Sequence, residues 1–219
     1  MQQTTFSFSS SNAYDPTEYI ESASNSFAYN AIINWPSGWG TEPYGRTLII
    51  QAAKSSGKTF LAKKWAAKSG ALFIEKTQAL TECLLANHQT FIIDGFDNSW
   101  NEEQVLHNFN AIHENGKYLL ITTTKIPVIK LPDLASRINA SNKLKIALPD
   151  DELIKMLIFK LFSNHSVVIS QEVLHYLIKI LPREFPEIIS SVAKINKFAM
   201  QNKRKITVPL IKIALGIIS

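Results

Sequence analysis

Eight residues, Ala52-Ala53-Lys54-Ser55-Ser56-Gly57-Lys58-Thr59, constrain this chain more than any other stretch. An apolar run, Thr47-Leu48-Ile49-Ile50, precedes them, and a helix-forming stretch from Phe60 to Lys68 follows. A strand, a loop of small residues and a helix start turn successive backbone N–H groups and the positive helix end toward one point. That is a cradle for phosphate. In this pattern Lys58 reaches the β/γ-phosphates and the Thr59 hydroxyl binds Mg²⁺. The pattern calls for Gly at its first position, where this chain has Ala52, and the extra methyl is expected to crowd the loop. The competing reading is a chance Gly-Lys-Thr in a surface turn. The strand before it and the helix after it favour the cradle.

A second run, Thr90-Phe91-Ile92-Ile93-Asp94, reads as a fully buried strand ending in a carboxylate. In phosphate-loop folds such an Asp holds the Mg²⁺ water shell beside the loop hydroxyl. Many strands end in a turn Asp. This one lies at a distance from the cradle that leaves room for one helix and one strand between them. ATP-hydrolysing AAA+ proteins place a second acid next, to orient the attacking water, and here the residue is Gly95. Asp97 substitutes only if the turn bends it back. Weak or absent turnover by the isolated chain is expected.

The length of 219 residues, with 46% hydrophobic and 19% charged residues, fits one phosphate-loop domain with a small appendage. No apolar run reaches the length of a membrane span, and Met1-Gln2-Gln3-Thr4 lacks the basic start of a signal peptide. Cys83 is the single cysteine, which excludes an internal disulfide and fits a reducing cytoplasm. Charge is uneven. Residues 1–150 hold 13 Lys/Arg and 13 Asp/Glu, whereas residues 151–219 hold 10 against 5, which accounts for the whole net charge of +5. Lys194, Lys197, Lys203, Arg204, Lys205 and Lys212 supply much of the excess. Such a face meets DNA phosphates or an acidic partner, or is simply solvated.

Gln2 to Tyr14 is polar and without helical period, an extended arm. A helix begins at Ser24-Asn25, carries Phe27, Ala28, Ile32 and Trp35 at helical spacing, and stops at Pro36-Ser37-Gly38. Strands are expected at 47–52, 71–75, 90–94, 118–123 and 143–148, with helices near 58–68, 77–86, 101–114 and 134–137. That alternation argues for a five-stranded parallel sheet covered on both faces. Beyond Pro149-Asp150-Asp151 only helical spacing remains, at 152–162, 171–181, 184–200 and 208–217, with Asp150 or Asp151 as the first N-cap. The expected organisation is an arm at 1–13, an α/β base at 14–149 and an all-α lid at 150–219.

These residues resemble the DnaA/Hda family of AAA+ proteins, and within it the short Hda branch, over nearly the whole chain. Asn25 with Ala28 resembles the Asn-x-x-Ala start of the family's nucleotide pocket, and Trp35-Pro36 the end of that helix. Gly57-Lys58-Thr59-Phe60-Leu61 resembles the family's GKTHL, with Phe60 in place of His. Leu119 to Thr124, followed by Pro127, is similar to the sensor I strand. Pro132-Asp133-Leu134-Ala135-Ser136-Arg137 is close to the PDLxSR of Hda proteins, and Leu181-Pro182-Arg183-Glu184 falls at sensor II. Leu148-Pro149-Asp150-Asp151 and Ile206-Thr207-Val208-Pro209 resemble lid signatures.

The resemblance implies an α/β AAA+ P-loop fold with an α-helical lid. It implies ADP or ATP held by Ala52, Ser55, Ser56, Gly57, Lys58, Thr59, Phe60, Asp94, Thr123, Thr124 and Arg183, with Mg²⁺ on Thr59 and Asp94 when present. It implies that Arg137 is an arginine finger acting in trans on ATP bound to DnaA. Gln3-Thr4-Thr5-Phe6-Ser7-Phe8 fits the peptide by which replication proteins hook the sliding clamp, the β subunit of DNA polymerase III. Gln3 would sit at the cleft mouth, with Phe6 and Phe8 in its apolar pocket. A homodimer is left open. So are three alternatives: a DnaA-like or helicase-loader ATPase that turns over its own ATP, a DNA-binding module using the basic lid, and a paralogue with another partner.

Overall fold

The computed structural model describes residues 19–39 and 45–218. Five parallel strands form one sheet in the order β2-β3-β4-β1-β5. They are β1 (Thr47–Gln51), β2 (Leu72–Phe73), β3 (Thr90–Ile93), β4 (Tyr118–Thr123) and β5 (Asn142–Lys145). Alternation divides the strand side chains between two cores. Ile49, Phe91, Ile93, Leu119 and Ile121 pack on one face with Val105, Phe109 and Ile112 of α4 (Glu102–Glu114). Leu48, Ile50, Ile92 and Leu120 pack on the other with Leu61, Ala62 and Trp65 of α2 (Lys58–Ser69), and Ala28 and Ile32 of α1 (Ser26–Ile33). Burial on both faces is why the strands read as unbroken apolar runs, and the expected parallel α/β architecture is borne out.

The elements α1, β2 and β5 are shorter than expected, and two further helices depart from expectation for local reasons. The helix expected at 77–86 is α3 (Glu82–Asn87). Asn108 of α4 accepts the Leu80 N–H at 3.0 Å and donates to the Gln78 carbonyl at 2.8 Å, which holds 78–80 out of the helix. The Thr81 hydroxyl then caps α3 through the Leu84 N–H. The helix expected at 134–137 is longer, α5 (Pro132–Ala140), with Pro132 starting its first turn.

After β5 the chain is helical: α6 (Asp151–Ser163), α7 (Gln171–Ile180), α8 (Phe185–Gln201) and α9 (Val208–Ala214). Their apolar faces close a separate core containing Ile158, Phe162, Leu174, Leu177, Ile188, Ile195 and Ile211. Asp150 joins this bundle to the sheet. One carboxylate oxygen caps α6 through the Leu153 N–H at 2.7 Å, and the other accepts the Ser24 N–H at 3.2 Å. Ser24 in turn accepts the Ala147 N–H at 3.0 Å.

Candidate nucleotide site

Parallel strands bring their C-terminal ends to one edge of the sheet, where ligands of open α/β folds bind. The loop 52–57 leaves β1 at that edge. Ala52 still belongs to the strand: its N–H donates to the Thr123 carbonyl at 3.1 Å, and it is buried within the core beneath α1 and α2. Ala52 is therefore part of the core beneath the loop. Ser55 (φ 59°) and Gly57 (φ 88°) turn the chain through left-handed conformations into α2, with Gly57 as the N-cap. Lys58 folds back, and its Nζ donates to the carbonyls of Ala52 at 2.9 Å and Ala53 at 2.7 Å. Burial holds its pKa below the usual lysine value, against the opposing pull of Asp94. Ser56 is buried, with a hydroxyl that has no partner among the described residues. An inward-facing lysine, an unpartnered hydroxyl and a positive helix start fit an anion of phosphate type.

Asp94 follows β3 and collects the site. Thr59 donates to its Oδ2 at 2.9 Å, which brings the two expected Mg²⁺ ligands together. Thr122 donates to its Oδ1 and accepts the Gly95 N–H at 2.9 Å. Neither Thr123 nor Thr124 has a described bond to Asp94. The Thr123 hydroxyl turns to the carbonyls of Phe96 at 2.7 Å and Lys125 at 2.8 Å, and Thr124 lines a neighbouring groove. Thr122 is thus a residue that sequence reading missed. Its signal is the register: Ile93 pairs with Ile121, which puts the next residue of β4 across from Asp94.

The turn after Asp94 is closed. Gly95 has φ 77°, a conformation that costs an L residue about 1–2 kcal/mol, so a second acid there would strain the turn. The Phe96 N–H donates to the Thr122 carbonyl at 2.8 Å, and the Trp100 indole to the Gly95 carbonyl at 3.2 Å. Asp97 is engaged elsewhere: it accepts the Ser99 N–H at 2.9 Å and the Ser99 hydroxyl, and Lys76 lies 3.7 Å away. The Ser99 hydroxyl and N–H, with help from Lys76, hold its pKa below the usual carboxylate range.

Three further elements frame the site. Phe60 stacks on Tyr19 at 5.2 Å, and Tyr19 on Tyr29 at 5.1 Å. The Tyr19 ring lies so close to Gly57 that a methyl there would sit 3.0 Å from Cε2. Burial, then Glu21, pushes the Tyr19 hydroxyl pKa well up. Arg137 is half-buried in the last turn of α5, and its Nε has no partner among the described residues. Arg183 is exposed and donates to the Pro149 carbonyl at 3.0 Å and to Asp151 at 2.5 Å. It grips the junction between sheet and lid, and none of its described bonds reaches loop 52–59. Gln3, Phe6 and Phe8 lie outside the described residues. Among the described residues no cluster of three His, Cys, Asp or Glu is arranged to hold a metal ion, and no helix is long and apolar enough to cross a membrane.

Comparison with known proteins places this geometry. The family model "Hda, lid domain" matches residues 150–215. An uncharacterized protein of Haemophilus influenzae is 27% identical over 183 residues, covering 74% of this chain and 78% of its own. The chromosomal replication initiator protein DnaA of Flavobacterium psychrophilum is 23% identical over 231 residues, covering 91% of this chain and 47% of its own. The chain therefore spans about half the length of that DnaA. Domain III of the Thermotoga maritima replication initiation protein DnaA superposes with a TM-score of 0.69 at 16% identity, over 93% of this chain and 96% of that one. A replication initiator DnaA bound to AMPPCP and single-stranded DNA gives 0.65 at 16% identity, over 88% and 68%. These structures establish the AAA+ fold, and the chain is similar to DnaA over most of its length and to the Hda lid over residues 150–215.

Proposed function

We propose that this protein is a nucleotide-holding regulator of chromosomal replication initiation that stimulates hydrolysis of ATP bound to DnaA. One observation carries the reading: Asp97, the nearest carboxylate able to replace the second acid, is tied to Ser99 and Lys76. Without a free carboxylate beside Asp94, the chain's own pocket is suited to holding ADP or ATP and poorly suited to orienting water. Lys58 and the 52–57 backbone would hold the phosphates, with Thr59 and Asp94 carrying Mg²⁺ and its charge-neutralising chemistry.

The arm, base and lid divide the work. Gln3, Phe6 and Phe8 tether the protein to the DNA-loaded sliding clamp, and Arg137 on α5 enters the nucleotide site of DnaA in the cytoplasm. A finger supplied in trans raises hydrolysis by roughly 10³–10⁵-fold, so one guanidinium suffices. The test is a reconstituted reaction of clamp, DNA, DnaA–ATP and this protein, reading released phosphate. Arg137→Ala is expected to keep nucleotide and clamp binding and lose stimulation; stimulation equal to wild type removes the finger.

A second reading, an ATPase in its own right, is favoured by a groove of about 350 Å³ beside Asp94 that Gly95, Asp97 and Thr124 help to line. Robust turnover by the isolated protein, lost on Asp97→Ala, selects that reading.

A further inference from the structure

We infer that the outer face of the lid's C-terminal half binds the phosphate backbone of double-stranded DNA without reading its sequence. From residue 188 to the end the chain carries six cations, Lys194, Lys197, Lys203, Arg204, Lys205 and Lys212, and no Asp or Glu. The fold turns this composition into a strip. Helix α8 buries Ile188, Val192, Ile195 and Ala199 on one side, and Lys194 and Lys197 are exposed one turn apart on the other. At the helix end Lys203 takes φ 49°, its N–H donates to the Met200 carbonyl at 3.2 Å, and the Arg204 N–H donates to the Ala199 carbonyl at 3.0 Å. This turn folds tightly onto the helix end, so Lys203, Arg204 and Lys205 extend the strip, all exposed.

None of these five makes an ion pair with a described residue. Lys212 is set apart, its ammonium 5.8 Å from the Tyr176 ring centre. Glu187, the last acid of the chain, begins the other end of α8. At ~1.5 Å per residue it lies about 10 Å from Lys194 and about 21 Å from the end of α8 at Gln201, against the ~8–10 Å over which salt leaves charges in communication. Beyond Lys194 the field of the strip is therefore uncompensated from within its own helix.

The charges select the partner. From Lys194 to Gln201, where α8 ends, is about 10 Å of helix, and the turn at Lys203 carries the charges beyond it. A DNA strand presents a phosphate about every 3.4 Å of axis, so the five cations are matched to about five successive phosphates. An anionic bilayer would need a free apolar face to enter; α8 and α9 turn most of their apolar side chains into the lid core, and the exposed Ile213, Ile217 and Ile218 lie on and after α9, not on α8. Met200 is the one large apolar side chain exposed on this half of α8, too little for the apolar centre of a protein interface. The competing structural role is helix-end electrostatics, since cations near a helix C-terminus stabilise it. This DNA contact stands whether or not Arg137 acts in trans.

The test uses the full chain and two labelled duplexes of unrelated sequence, with affinity followed against salt. Five contacts give a slope of log K on log salt near −4.5, about −0.9 for each phosphate neutralised. The variant Lys203→Gln/Arg204→Gln/Lys205→Gln should reduce the slope by about 2.7 and weaken both duplexes alike. Lys194→Gln/Lys197→Gln should reduce it by about 1.8 and serves if the first variant fails to fold. An unchanged slope in a folded variant overturns the inference. So does loss of thermal stability with DNA affinity intact, which assigns the cations to helix-end stabilisation. Binding to phosphatidylglycerol vesicles in preference to duplex at equal salt overturns it in favour of a membrane surface.

Discussion

Thr122, at the end of β4, gives its hydroxyl proton to Asp94 at the end of β3. The same oxygen accepts the Gly95 N–H, so one side chain sets both the carboxylate and the turn beyond it. Thr122→Val keeps the shape and removes both bonds. The loss of a buried hydrogen-bonding partner should cost about 1–3 kcal/mol in denaturant unfolding. The freed Asp94 should also weaken Mg²⁺-dependent nucleotide binding. Thr123→Val is the comparator, because its hydroxyl faces carbonyls away from the carboxylate. Nucleotide affinity that falls more with Thr123→Val than with Thr122→Val would reverse this assignment.

Lys58 should make nucleotide binding pH-dependent in a diagnostic direction. Burial lowers its pKa, and phosphate beside the ammonium would raise it again. Between the lowered value and the value in the complex, binding must take up a proton, so ADP affinity falls as pH rises through that window. In the unliganded protein the sign of the stability effect is the same as for any depressed lysine. Unfolding restores the ordinary pKa, the unfolded chain binds more protons, and stability rises with pH until the unfolded group also titrates. Calorimetric ADP titrations in buffers of different ionisation heat measure the proton directly. Uptake should vanish in Lys58→Ala, and affinity should drop by roughly 10- to 150-fold, the loss of a bond worth about 1.5–3 kcal/mol.

How much of this was legible beforehand depends on whether a residue's role is local. The strands were readable because residues such as Phe91, Ile92 and Ile93 are buried on both faces, which leaves an unbroken apolar run. Loop 52–59 was readable because its chemistry lies in consecutive residues. Thr122 was not, because three threonines in a row differ only in register, and the pairing of Ile93 with Ile121 is a tertiary fact. Tyr19 has no local signal at all: it meets Gly57 and Phe60 only after the chain has folded. The start of α3 was misplaced because Asn108, almost thirty residues away, holds Gln78 and Leu80 out of the helix.

Gly57 offers a way to separate backbone strain from contact. With φ 88°, an alanine there adopts a left-handed conformation at about 1–2 kcal/mol. Its methyl also meets Tyr19 Cε2 at 3.0 Å. Gly57→Ala should therefore destabilise by more than the conformational cost, and the double variant Gly57→Ala/Tyr19→Ala should recover only the contact part. A double-mutant cycle in thermal unfolding reads the difference. Strict additivity would mean that Tyr19 does not rest on the loop in solution.

Glu102 fixes the approach to the helix that carries Arg137. Its carboxylate, in the first turn of α4, accepts the N–H of Lys130 at 2.9 Å and of Leu131 at 2.8 Å. Leu131 is the N-cap of α5, and no side-chain cap bond is made there, so an acid from another helix supplies the acceptor. Those two bonds, Leu131 first, hold the Glu102 pKa below the ordinary glutamate value. The depressed pKa sets the sign: the stabilisation is fully present above the unfolded pKa and is lost as pH falls through the folded one. Amide exchange at Lys130 and Leu131, corrected for the intrinsic rate, should show protection that declines over that acidic window. Glu102→Ala should remove protection at every pH. Glu102→Gln retains one neutral acceptor oxygen, so its protection should be intermediate and flat. Leu134 and Ile138 anchor the rest of α5 in the core, so the helix itself should persist and only its N-terminal end should loosen. Because Arg137 lies in the last turn of α5, between the anchors Leu134 and Ile138, Glu102→Ala should leave both stimulation of DnaA–ATP hydrolysis and the protein's own nucleotide affinity unchanged. Unaltered protection at Leu131 in Glu102→Ala would show that packing of Leu134 and Ile138 alone positions α5.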